Sequence, residues 1–245
     1  MFDKSTVKAS SISSQLLQHS SLAKQETMKR FFKTEKGGYA ENDFFLGITV
    51  PEVRKIAKYN NYISLEEIII LLKSKIHEER LISLYFLIQK YNSGDSSLKE
   101  TIFNIYISNT KHINNWDLID TSCEHIVGDF LKDKPKNVLF DFARSQSIWE
   151  KRIAIVSTFY FIKQKEHKLT FKIADILISD NHDLIHKAVG WMIREVGKKC
   201  GEDYLIKYLD KNSAKMSRTT LRYSIEKLDE QKRLYYLNKD KRSNR

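Results

Sequence analysis

The sequence predicts an all-α protein, and three observations carry the prediction. Two prolines and eight glycines in 245 residues leave few of the turn residues that a β-rich chain needs. Apolar positions recur at helical spacing through long segments rich in Leu, Ile, Lys and Glu. Cations also recur: Arg80, Arg152, Lys187 and Arg222 are 72, 35 and 35 residues apart, and the step missing from the first interval falls on Trp116. A period of roughly 35 residues made of two helices is the signature of an α-solenoid. The expected architecture is a curved α-α superhelix with the repeated cations lining its concave surface.

Taken in order, residues 5–33 read as a Ser-rich leader running into one or two amphipathic helices that end near Phe31-Phe32. The loop Lys36–Asp43 follows, with adjacent glycines and Asn42-Asp43 as turn residues. Thr49 or the residue beside it caps the next helix, with Pro51 in its first turn, and Ser64 with Glu67 three residues on forms a capping box. Helices are predicted at 51–60, 65–74, 77–91, 98–107, 116–131, 136–144, 148–164, 170–179, 182–199, 202–210 and 217–229. One repeat domain is expected over 1–230. Residues 231–245, with Lys232, Arg233, Lys239, Lys241, Arg242 and Arg245, are expected to be a disordered basic tail.

A formal charge of +11 favours nucleic acid or another anionic surface as the partner, through phosphate contacts and counterion release. Cys123 and Cys200 lack paired ligand spacing, so neither a disulfide framework nor a zinc ribbon is expected. The opening Met1-Phe2-Asp3-Lys4-Ser5-Thr6 has no apolar signal core, and apolar runs such as Ile68–Leu72 are too short to span a bilayer. A soluble, cytoplasmic monomer, nucleoid-associated when bound to DNA, is the expectation.

Trp116 and Asp120 stand four residues apart, on one face of a predicted helix. An indole beside a carboxylate suits a flat or cationic ligand, because the ring face and the anion both attract positive charge. The other tryptophans also have an ionisable residue about one turn on, Arg152 after Trp149 and Arg194 after Trp191. Around Trp191 the cations Lys187, Arg194 and Lys198 form a narrow stripe, an arrangement that suits phosphates and unstacked bases. His182 and His186 share a face, but no third metal ligand accompanies them. No phosphate-cradling loop and no dinucleotide fingerprint appears, so no metal and no cofactor is expected.

Several of these stretches resemble the AlkD-type DNA alkylation repair family. They are Asn115-Trp116-Asp117-Leu118-Ile119-Asp120 with Gly128-Asp129, Trp149 to Ile155, and His186 to Glu195. Gly38-Tyr39, Phe45-Leu46-Gly47-Ile48 and Arg218 to Tyr223 are similar as well, so the resemblance runs over about residues 25–230. It implies a HEAT-like repeat solenoid acting as a DNA glycosylase that removes cationic N3- and N7-alkylated purines from duplex DNA. Trp116, Asp120, Arg152 and Trp191 match the family's active-site positions. Phe31, Phe32 or Tyr39 could supply a further N-terminal aromatic. Lys187, Arg194, Lys198, Arg80, Arg218 and Arg222 are the candidate DNA contacts.

The chemistry is self-consistent. Ordinary glycoside hydrolysis uses two carboxylates, one to protonate the leaving group. An alkylated purine already carries positive charge and leaves as a neutral base, so one carboxylate suffices. The alternative is a non-enzymatic solenoid that binds unusually shaped DNA or scaffolds proteins. Asp120 discriminates between them, because a pure binder gains nothing from an anion facing phosphate.

Overall fold

The computed structural model describes residues 7–243, with side chains as far as residue 239. The start of the Ser-rich leader at Ser5, and Arg245 in the basic tail, lie outside the described residues. The described residues are all-helical and contain no strand; an isolated parallel bridge joins Phe44 to Ile76. The chain divides into two compact units, residues 1–122 and 123–245.

The first unit holds α1 (Ala9–Gln18), α2 (Leu22–Phe31), α3 (Val50–Tyr59), α4 (Leu65–Leu72), α5 (His77–Ser93), α6 (Ser96–Ser108) and most of α7 (Trp116–Cys123). Helix α5 is its axis, buried from His77 through Leu87 and packed by α1, α3, α4 and α6. The start of α3 follows the sequence closely: the Thr49 N–H and hydroxyl both donate to Glu52 Oε2, with Pro51 in the first turn. The capping box expected at α4 forms only in part. Ser64 accepts the Glu67 N–H, but the Glu67 carboxylate turns to α1 and accepts from Ala9 N (2.7 Å) and Lys8 Nζ (3.1 Å). An unpaired amide at the start of a distant helix outcompetes the local partner.

The second unit holds α8 (Asn137–Ala143), α9 (Ile148–Val156), α10 (Phe159–Lys163), α11 (Lys168–Leu177), α12 (Asp183–Lys199), α13 (Glu202–Asn212), α14 (Arg218–Ser224) and α15 (Glu230–Ser243). A π-turn over Glu124–Gly128 continues α7 into it, within the predicted 116–131 helix. The predicted 148–164 helix is broken at Ser157-Thr158, where the Thr158 hydroxyl donates back to Ile155 O at 2.6 Å. A Cβ at Gly128 would stand 2.6 Å from Ser157 O, so that glycine lets the π-turn close on the break.

The last three cations of the period found in the sequence have a structural counterpart, whereas Arg80 is the fourth residue of α5 and Trp116 the first of α7. Arg152, Lys187 and Arg222 are each the fifth residue of their helices, which begin at Ile148, Asp183 and Arg218. Helix α12 packs against both α9 and α14.

Of the tail expected to be disordered at 231–245, the described part differs: Glu230–Ser243 is a helix. Tyr236 is buried and donates to Asp210 Oδ1 at 2.9 Å, while Lys232 pairs with Glu202 (2.6 Å) and Asp229 (2.8 Å). Docking one aromatic on α13 and giving its lysines carboxylate partners outweighs the low apolar content that suggested disorder. No helix of the described residues is long and apolar enough to cross a membrane.

Candidate functional site

In the first unit the site is built on the opening turn of α7. Asn115 is fully buried, and its Oδ1 accepts the Trp116 N–H at 2.8 Å, satisfying an amide that the helix cannot. Trp116 opens the helix and Asp120 follows one turn later, both half-buried. Trp116 stacks on Phe32 (5.4 Å, 27°) and meets the edge of Phe31 (5.8 Å, 70°). Its indole Nε1–H donates to the Tyr39 hydroxyl at 3.0 Å. The structure thus brings all three N-terminal aromatics onto Trp116. Phe32 lies beneath it at 7% exposure, Phe31 stands out at 63%, and Tyr39 supplies a hydroxyl.

Beneath the aromatics runs a buried polar network. Phe32 stacks on Phe45 (5.0 Å), and the His77 ring stacks on Phe45 (4.6 Å). His77, 3% exposed, places Nε2 at 2.8 Å from Asp117 Oδ2 and Nδ1 at 3.4 Å from Asp43 Oδ2. Burial penalises the charged imidazole, but the Asp117 and Asp43 carboxylates outweigh it, and the His77 pKa is raised to about 9. Burial likewise works against the Asp43 carboxylate, yet His77, Arg80 and Asn115 hold its pKa below the usual range. Asn115 Nδ2 donates to Asp43 Oδ2 at 3.3 Å, tying the network to α7.

Arg80 belongs to this network, which corrects its assignment as a DNA contact. It is 3% exposed, with Nη2 at 2.7 Å from Asp43 Oδ1 and Nη1 donating to Ser74 O at 3.0 Å. With its charge balanced by the buried Asp43 carboxylate and Nη1 bonded to Ser74 O, this guanidinium serves the core. Next to it, buried Glu78 accepts the backbone N–H groups of Leu46, Gly47 and Ile48 at 2.8–3.2 Å and pins the loop that carries Phe45.

In the second unit, Arg152 on α9 is 5% exposed and its Nη1 donates to Leu184 O at 2.7 Å, so its guanidinium is held against the first turns of α12. Trp191 on α12 is half-buried beside Phe159 of α10 at 5.9 Å, and Lys163 and Lys199 stand over the Phe159 ring at 4.8 and 5.8 Å. The cationic stripe lies on α12 but has carboxylates within reach. Lys187 pairs with Asp183 (2.7 Å), Lys198 with Glu195 (3.3 Å), and Arg194 with Glu195 (3.3 Å) and Glu226. Arg218 and Arg222 on α14 are exposed, with Arg218 Nη1 donating to Leu237 O. His182 caps α12 through its Nδ1, and His186 Nε2 lies 2.5 Å from Asp180 O. Among the described residues no three His, Cys, Asp or Glu side chains gather as a metal site.

His77, Asp43, Asp117 and Phe159 are the site-bearing residues that sequence reasoning passes over. Asp43 looks like a turn residue and His77 like the polar start of a helix. Their partners are 34 and 40 residues apart in the chain, and no local pattern announces such a pairing.

A family model described as DNA alkylation repair enzyme matches residues 12–228. A solved structure described as a predicted DNA alkylation repair enzyme from Enterococcus faecalis aligns with a TM-score of 0.68 and 14% identity, over 86% of this chain and 98% of that one. At that identity the likeness speaks to the fold. No curated protein matches the chain.

Proposed function

Because the chain belongs to the DNA alkylation repair enzyme family, we propose that it is a monofunctional DNA glycosylase acting on cationic N3- and N7-alkylpurines in duplex DNA. The observation that carries the reading is on α7: half-buried Asp120 stands one turn from an indole that is set among Phe31, Phe32 and Tyr39. A carboxylate beside an aromatic plate is suited to a developing oxocarbenium sugar, which is flat and cationic.

In this mechanism Asp120 stabilises the oxocarbenium-like sugar and orients the attacking water. The alkylated base departs as a neutral purine and needs no acid. Trp116 and Trp191 offer π-faces to positive charge, at about 0.5–2 kcal/mol each. Arg152 takes a phosphate near the lesion, and its bond to Leu184 O orients the guanidinium in advance. Lys187, Arg194 and Lys198 take flanking phosphates by exchanging their carboxylate partners for DNA oxygens. The role of Asp43 and Asp117 is different, since both are bound to His77.

The test is release of 7-methylguanine and 3-methyladenine from methylated duplex DNA. Asp120→Asn should keep DNA binding and lose excision by on the order of 10²-fold or more. The product should be an intact strand with an abasic site. Normal excision by Asp120→Asn would remove the assigned role, and strand nicking by pure protein before heat or alkali would contradict simple hydrolysis.

A further inference from the structure

We propose that His77 is a positioning residue, a buried clamp between Asp43 and Asp117 that fixes the opening turn of α7 and so aims Trp116 and Asp120. The inference rests on the reading that this pair works on DNA, but its physical content can be measured without activity.

The geometry is a closed circuit in the first unit. His77 is the first residue of α5, and its two ring nitrogens reach Asp117 on α7 and Asp43 in the loop before Phe44. Asp43 also holds Asn115, whose Oδ1 receives the Trp116 N–H. Trp116 therefore has Asn115 on one side in the chain and Asp117 on the other, each fixed to the same buried cluster. A second path runs through the rings, from His77 to Phe32 (5.1 Å) and from Phe32 to Trp116. Asp120 follows rigidly, one helical turn on.

A neutral imidazole could not close this circuit. It donates from one nitrogen only, and the other lone pair then faces a carboxylate. A cation at the start of α5 is also disfavoured by the helix dipole. What holds the charge in place is the surrounding set: Asp117 from α7 and Asp43 from the loop favour it, while Arg80 on α5 and burial oppose it. With Arg80 the four charges sum to zero below the His77 pKa of about 9 and leave one uncompensated buried anion above it.

The test uses the full chain labelled with 5-fluorotryptophan and with ¹³C-histidine. Trp116→Phe identifies the Trp116 fluorine resonance and His77→Gln the His77 ring resonance. Both should titrate with one midpoint near pH 9. Asp117→Asn should lower that shared midpoint by about one pH unit or more, because it removes the nearer carboxylate. In His77→Gln the Trp116 resonance should not move across this range. A His77 midpoint at or below 6.5, or a Trp116 resonance that ignores the His77 titration, overturns the clamp. If His77→Gln does not fold, the histidine resonance whose midpoint Asp117→Asn displaces marks His77, and the unaltered chain and Asp117→Asn still decide.

The activity arm is read separately. Release of 7-methylguanine should fall about tenfold in kcat for His77→Gln with KM changed by less than about twofold, as expected for misaimed catalytic groups. The unaltered chain should lose activity as pH rises through about 9, and the variant should lack that limb. An unaltered kcat in a folded His77→Gln overturns the positioning role. No release by the unaltered chain would defeat the glycosylase reading while the resonance titrations still judge the clamp.

Discussion

Single residues decide more here than their exposure suggests. His77 is enclosed, yet its proton is a stability term for the first unit. The unfolded chain holds that proton only below about 6.5, and the folded chain holds it up to about 9, so between those values the folded state binds more protons. Stability from this group is fully present below pH 6.5 and is lost as pH rises through 9. The displacement corresponds to on the order of 3 kcal/mol. Urea unfolding at about pH 6 and pH 9.5 should show this fall in the unaltered chain and a much smaller one in His77→Gln. Equal falls in both would mean the stabilisation lies elsewhere. Arg152 is likewise buried, and the bond from its Nη1 to Leu184 O helps to set the orientation of the guanidinium.

At the scale of elements, close approaches explain which residues the local structure tolerates. Gly47 has φ +79°, and a Cβ there would stand 2.3 Å from Ser21 O and 2.6 Å from Gln25 N, so the loop lies directly on α2. The same loop is pinned by Glu78 and carries Phe45, which supports Phe32 and, through it, Trp116. Gly47→Ala should therefore destabilise the chain by about 2–4 kcal/mol, from the positive φ and the backbone collision together. It should also lower affinity for methylated DNA by loosening the aromatic shelf. A urea midpoint unchanged by this substitution would show that the loop relaxes without strain. Gly190 plays a related part in the second unit, where its missing side chain lets α12 meet Thr220 O and Tyr223 of α14.

For the whole molecule the governing quantity is charge. A net +11 attracts any polyanion, so DNA binding should weaken steeply with salt. With about five phosphate contacts, log affinity against log salt should have a slope of about −4 to −5. Replacing the two exposed arginines of α14, Arg218→Ala with Arg222→Ala, should reduce the slope by about 2 if both meet phosphate. An unchanged slope would remove α14 from the DNA-facing surface. Many other cations are already engaged within the fold, as Arg80, Lys187, Arg194 and Lys232 are, so formal charge overstates what is available to DNA without exchange of partners.

Helical class, most helix positions and the Trp116–Asp120 spacing were legible in the sequence because they rest on local periodicity and on start signals such as Thr49 followed by Pro51. The 35-residue interval was legible too, since it repeats the fifth position of α9, α12 and α14. Tertiary structure alone decided where the side chains went. It buried Arg80 against Asp43, turned Glu67 from its own cap to α1, folded Glu230–Ser243 onto α13, and gathered Phe31, Phe32 and Tyr39 around Trp116. The physical reason is common to all four. Each outcome depends on a partner far away in the chain, and a buried charge, an open helix end or an aromatic face is satisfied by whatever the fold brings nearest.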